Sequence, residues 1–168
     1  MGNRNNHFSN NRACDMPPLL ELLFKAHVLF GDPLNIGARV QGHRLVMPFK
    51  AGSRVEGPRI YGEYLPESVG SRIIRSDGTI DFETHFVIRT DDESLVYGQS
   101  KGIERIAPNA VQRLSEGFPY DPDEFYVRSF VSFEAADDGP YAWLNRSLCV
   151  ACSKRTLTGA EATIWELL

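Results

Sequence analysis

Along most of the chain apolar and polar residues alternate with a period of two, the spacing of strands whose successive side chains face opposite ways. The longest such stretch is FYVRSFVSFEAADDGPYAWLNRSLCVA, residues 125–151. Phe125, Val127, Ser129, Val131 and Phe133 share one face; Tyr126, Arg128, Phe130, Ser132 and Glu134 share the other. Asp137-Asp138-Gly139-Pro140 supplies a turn, so the stretch predicts one long β-hairpin. In its second arm Tyr141, Trp143, Asn145 and Ser147 fall together. Large rings beside a cation and a carboxylate suit the lining of a small-molecule cavity. The same pattern also fits an amphipathic hairpin with a wet outer face.

The rest of the chain reads similarly. Leu19 to Phe30 is an apolar run stopped by Gly31-Asp32-Pro33, and the extended segments beyond that stop favour strand over helix. IGARVQGHRLVMPFKAG and RVEGPRIYGEYLP predict further strands, with Gly42, Gly57 and Gly62 as sites for bulges or sharp coiling. TIDFETHFVIRT alternates strictly after the turn at Arg75-Ser76-Asp77-Gly78, and SLVYGQSKGIERI comes next. From Ala107 to Pro122 the chain is loop-like, with a short helix started by Pro108 and ended by Gly117. Thr163 to Leu168 predicts a last strand. Eight or nine strands, one minor helix and internal glycines predict an all-β fold, an antiparallel barrel or a sandwich, and the alternating lead strands favour the barrel. Residues 1–18 read as a flexible polar tail and residues 19–168 as one barrel domain.

At 168 residues the chain is long enough to bury a core. A net charge of −4 with mixed signs and no basic cluster argues against nucleic acid as a partner. No apolar run reaches the roughly 18 residues a membrane-spanning helix needs. Cys14, Cys149 and Cys152 form no disulfide framework, which places the chain in a reducing, cytoplasmic compartment. Cys149 and Cys152 have C-x-x-C spacing, but three apart on a strand they face opposite sides, so they read as structural thiols.

Taken together, IGARVQGHRLVMPFKAGSRVEGPRIYGEYLP, SDGTIDFETHFVIRTDD, YVRSFVSFE and YAWLN resemble the family known as domain of unknown function 3237. The resemblance covers roughly residues 19–168. It implies a closed eight-stranded antiparallel barrel similar to allene oxide cyclase and dirigent proteins, whose hydrophobic pockets steer cyclisation, isomerisation or coupling without a cofactor. One departure stands out. Where relatives continue Gly-Gly-Ala-Asp-Trp after Leu65-Pro66, this chain has Glu67, Ser68, Val69, Gly70 and Ser71. Gly70 and Ser71 thus replace an acid and a large ring. Glu93 takes the place of a small residue, and His85 of a common Arg.

No nucleotide, P-loop, nucleophile-elbow or H-E-x-x-H motif occurs, and His7, His27, His43 and His85 lack ligand spacing, so neither cofactor nor metal is expected. Acid–base and electrostatic work in an apolar cavity remains. Glu63, on a face with Tyr61 and Leu65, reads as a buried acid or a structural hydrogen-bonding group. His85 reads as a proton shuttle or as one polar residue of an exposed face. Arg128 reads as an oxyanion partner or a barrel-closing salt bridge; Glu134, about 20 Å along the same strand, as a pocket residue or a solvated rim group. Tyr61, Tyr126, Phe130, Tyr141 and Trp143 would shape the cavity, and Asn145 would orient a substrate oxygen. The expected function is a cofactor-free cyclase, isomerase or dehydratase acting on a small apolar metabolite, set in specialised-metabolite biosynthesis by the resemblance. The alternatives are a non-catalytic small-molecule-binding barrel and an interaction module. The expected partners are a small hydrophobic molecule and, as a homodimer or other homo-oligomer, a second copy of the chain.

Overall fold

The computed structural model describes residues 17–107, 109–118, 121 and 124–168. The polar tail assigned to residues 1–18 lies outside them, apart from Pro17 and Pro18, as does Pro108 at the expected helix start. The runs of β-branched and aromatic residues form strands β1 (Leu20–Leu29), β2 (Leu34–Arg39), β3 (Gly42–Pro48), β4 (Arg54–Glu56), β5 (Tyr61–Tyr64) and β6 (Val69–Ile74). The longer strands β7 (Ile80–Thr90), β8 (Leu95–Ile106), β9 (Phe125–Ala135), β10 (Cys149–Arg155) and β11 (Gly159–Leu167) complete the set.

β1 with β2, β3 with β4, and β5 with β6 are halves of three long strands. β4 pairs with β1 and β3 with β2, while β5 and β6 share one edge of β7. From β7 onward each strand pairs with the next, and β11 returns to β1, Leu20 opposite Leu167 and Leu29 opposite Gly159. The result is a closed eight-stranded antiparallel barrel. The three interruptions lie at one level and are sewn together by buried serines. Ser53 accepts from the Leu29 N–H at 2.9 Å and donates to the Lys50 carbonyl at 2.8 Å. Ser68 accepts from the Val87 N–H at 3.1 Å. These hydroxyls take the Leu29 and Val87 N–H groups in place of ladder bonds lost at the breaks.

The barrel is packed by a continuous chain of edge-to-face rings, Phe30–Phe49–Tyr64–Phe86–Phe133–Phe24, with centroids 5.2 to 6.0 Å apart. β9 presents Phe125, Val127, Ser129, Val131 and Phe133 to the interior. The cavity face expected from the sequence is therefore inverted: Tyr126, Arg128, Phe130 and Glu134 stand on the outer wall, Phe130 77% exposed. The more apolar of the two faces goes inside, because a charge buried without a partner costs more than burying the rings beside it would gain.

A second correction concerns the hairpin. Its second strand starts at Cys149, and Ala142–Arg146 form a short 3-10 helix under one end of the barrel. Pro140 has no N–H to offer a ladder, and Leu144 N–H bonds Tyr141 O within the turn at 3.0 Å. Asn145 completes the strand end instead. Its side-chain carbonyl accepts from Ala135 N–H at 2.7 Å and its amide donates to Ala135 O at 2.9 Å.

A short helix α1 (Ala110–Ser115) precedes β9 and ends at Gly117, whose φ of +82° is the left-handed conformation of a helix stop. Among the described residues no helix is long and apolar enough to cross a membrane.

Candidate functional site

The barrel axis holds a cavity of about 100 Å³ with two chemically distinct ends. One is aromatic, formed by Phe24, Phe49, Tyr64 and Phe86. The other is polar, where Arg72, Ser100, Glu104, Ser129, Ser153 and Arg155 converge. Each comes from a different position on the wall: Arg72 from β6, Ser100 and Glu104 from β8, Ser129 from β9, Ser153 and Arg155 from β10. Alternation alone brings the β8 pair inside, since Val96, Gly98, Ser100, Gly102 and Glu104 share a face.

Glu104 is the centre of this end. It is 1% exposed, set between Ile80 on β7 and Val127 on β9. Arg155 grips its carboxylate with two bonds, Nε to Oε1 at 2.6 Å and Nη2 to Oε2 at 3.1 Å. Arg72 Nη1 stands 4.0 Å from Oε2, and its guanidinium lies 5.3 Å over the Phe30 ring. Burial pushes the Glu104 carboxyl above its ordinary value, with Arg72 pulling it back. Burial likewise weighs against the charge on Arg72, and Glu104 offsets part of that. Ser100 Oγ donates to Ser129 Oγ at 2.9 Å. The Tyr64 hydroxyl has no hydrogen-bond partner among the described residues, and burial raises its pKa, so it stays a neutral donor. Cys149 is a buried thiol on the interior face, pushed up to about 11 by burial and by the charge of Glu166, which keeps it protonated and non-nucleophilic at neutral pH. Among the described residues no three His, Cys, Asp or Glu side chains gather into a metal-binding group.

The residues singled out from sequence do not line this cavity. Glu63 is not a buried acid: it is half-exposed on the outer wall, paired with Arg89 at 2.5 Å. Tyr61 is exposed beside it. His85 bridges the Tyr97 hydroxyl at 2.6 Å and Glu83 at 3.1 Å on the outer face of β7. Arg128 stacks over Tyr126 at 4.8 Å and donates to the Val127 carbonyl at 2.9 Å. Tyr141 and Trp143 pack against the core from the 3-10 segment, Trp143 with the Arg59 guanidinium 3.4 Å above its ring. Phe130 and Glu134 face outward, and Asn145 serves the backbone of β9. The structure does bring Arg128 to Tyr126, and Glu63 to Tyr61, but outside the wall. Glu104, Arg72 and Arg155 escaped sequence reasoning. The available signal was that Glu104 shares a face with Val96, two glycines and Ser100, an interior-type face carrying one acid.

Fold and cavity together define a small closed β-barrel with an amphipathic lumen. A family model described as "Protein of unknown function (DUF3237)" matches residues 18–167, and the chain belongs to that family. A UPF0311 protein of Rhodopseudomonas palustris is 32% identical over 142 residues, 83% of this chain and 92% of its own. The solved structure of a conserved protein of unknown function from that species superposes with a TM-score of 0.81 at 28% identity, over 91% of this chain and 99% of the other. A "beta-barrel like protein" of Acinetobacter baumannii gives 0.77 at 27% identity, over 91% and 98%. An enzyme from Penicillium herquei shares the fold with a TM-score of 0.66 at 18% identity, over 91% and 96%.

Proposed function

We propose that the lumen is the active site of a cofactor-independent isomerase or cyclase acting on a small, largely apolar molecule that carries a carbonyl. The observation that carries this reading is Glu104, a carboxylate 1% exposed at the polar end of an aromatic cavity, with two arginines on it. Burial raises its basicity, which suits a group that removes a proton from carbon next to a carbonyl. Arg155 fixes its orientation. Donors from Arg72 and Tyr64 stabilise the enolate oxygen as charge develops there. Return of the proton from Glu104 to a different carbon completes an isomerisation. Attack by the enolate carbon on a second carbonyl of the same molecule, with the proton passing from Glu104 to the new alkoxide oxygen, completes a cyclisation, the walls holding both ends in place. The acid that the family resemblance leaves missing at Gly70, which lines the same cavity, is thereby supplied by Glu104 from β8. The name given to the Penicillium herquei relative, an enzyme, fits this reading.

The test is proton exchange. Incubating cyclic ketones and β-keto esters with the protein in deuterium oxide should give protein-dependent deuteration at the enolisable carbon, read by NMR. Glu104→Gln should slow exchange by about 10² to 10⁴ while remaining folded by circular dichroism. Protein-dependent exchange that survives Glu104→Gln, or no exchange with any ketone, would overturn it.

One observation favours a second reading, a barrel that binds without chemistry: both carboxylate oxygens of Glu104 already take a bond from Arg155. In that case ligands stabilise the protein and no deuterium enters them.

A further inference from the structure

The charges at the polar end of the lumen do not cancel. Arg72 and Arg155 face a single carboxylate, Glu104, leaving one positive charge in excess. Arg155 spends Nε and Nη2 on that carboxylate. Arg72 makes no hydrogen bond to any described residue; Glu104 Oε2, at 4.0 Å, lies beyond hydrogen-bond reach, and a ring lies against its guanidinium. A guanidinium so little exposed, its side chain at 13%, ordinarily has carboxylate or carbonyl partners for its donors. Ser100 Oγ donates to Ser129 Oγ, and neither hydroxyl makes a hydrogen bond to Arg72.

We propose that the lumen takes a ring-bearing monoanion, a small aryl or cycloalkyl carboxylate, with its charge against Arg72 and its ring among Phe49, Tyr64 and Phe86. This rests on the reading of the lumen as a ligand site and adds the charge and shape of what enters it. A monoanion cancels the excess charge; a dianion would overshoot it, and a cation would be repelled. The fork of Arg72 matches a planar carboxylate. The cavity of about 100 Å³ is smaller than the ~150 Å³ apolar hole that accepts benzene in an engineered protein, so the ring takes the enclosed part and the carboxylate lies at the partly exposed arginines. The unpartnered Tyr64 hydroxyl leaves one further hydrogen bond for a second oxygen on the ligand.

The experiment compares benzoate, cyclohexanecarboxylate, benzyl alcohol and acetate as probes against the full chain, by calorimetric titration and thermal shift. The two cyclic carboxylates should bind and raise the melting temperature. Benzyl alcohol should bind at least about tenfold more weakly, since a charge-assisted bond contributes about 1.5–3 kcal/mol, and acetate should not bind measurably. Arg72→Met should remove the preference for benzoate over benzyl alcohol, and Arg72→Lys should keep part of it. The comparison of probes on the unaltered protein requires no variant to fold. Equal affinity for benzoate and benzyl alcohol, failure of all four probes, or benzoate affinity unchanged in Arg72→Met would overturn the inference. Deuterium exchange plays no part in this outcome, since benzoate has no enolisable carbon; anion preference together with no exchange in the ketone test refutes the catalytic reading alone.

Discussion

Glu104 and Arg155 form a buried pair, and such pairs matter most when only one member is removed. Replacing Arg155 with Met leaves a carboxylate at 1% exposure with Arg72 as its remaining cation, too distant for a hydrogen bond. Loss of one partner of a buried pair costs on the order of 3–5 kcal/mol. Glu104→Gln should cost less, because both arginines retain some contact with water and Gln keeps an oxygen to accept from Arg155. The double replacement Glu104→Gln with Arg155→Met removes both charges and should recover a good part of the Arg155→Met loss. Urea unfolding of the three variants measures this as a coupling energy. Strictly additive losses would mean that the two side chains do not support each other in solution.

At the level of the strand, β9 tests how a face is chosen. A pattern of period two announces a strand but leaves two faces to choose between, and shifting the assignment by one residue exchanges every side chain. Both faces of β9 carry rings, which is why the cavity lining could be read the wrong way round. The charges of Arg128 and Glu134 were the deciding feature, and they mark solvent. Phe130→Lys should therefore change stability by no more than about 0.5 kcal/mol. Val131→Lys, one position along, puts an ammonium into the core beside Phe133 and should prevent folding, as circular dichroism will show. If Phe130→Lys is the damaging one, the face assignment fails. Elsewhere the strands themselves were legible, since their alternation is local. Tyr141 to Ser147 misled because ring, polar and small residues happen to alternate there too, while Pro140 and the side chain of Asn145 decide the conformation through contacts the pattern does not carry. Of the polar end of the lumen only Glu104 left a signal, an acid on an interior-type face of β8; Arg72, Glu104 and Arg155 meet only once β6, β8 and β10 curl round a common axis.

The barrel as a whole is closed by its two chain ends, β1 lying against β11 from Leu20–Leu167 to Leu29–Gly159. A ring of strands has no free edge, so opening any one seam exposes two rows of unpaired backbone groups and the aromatic core behind them. The β1 side of this seam carries Phe24, Ala26 and Val28, all buried, and the β11 side carries Ile164. A ligand of the kind proposed would not require the seam to part, because Arg72 and Arg155 at the polar end of the cavity are partly exposed. The seam should then be as protected as the centre of the wall. Native-state hydrogen exchange should give the amides of β1 and β11 that bond across the seam the same opening free energy as those bonded between β8 and β9, all of them tracking global unfolding. Seam amides that exchange by a separate, easier opening would show that the cylinder breathes along β1–β11. That route, rather than the arginine rim, would then be the path into the lumen.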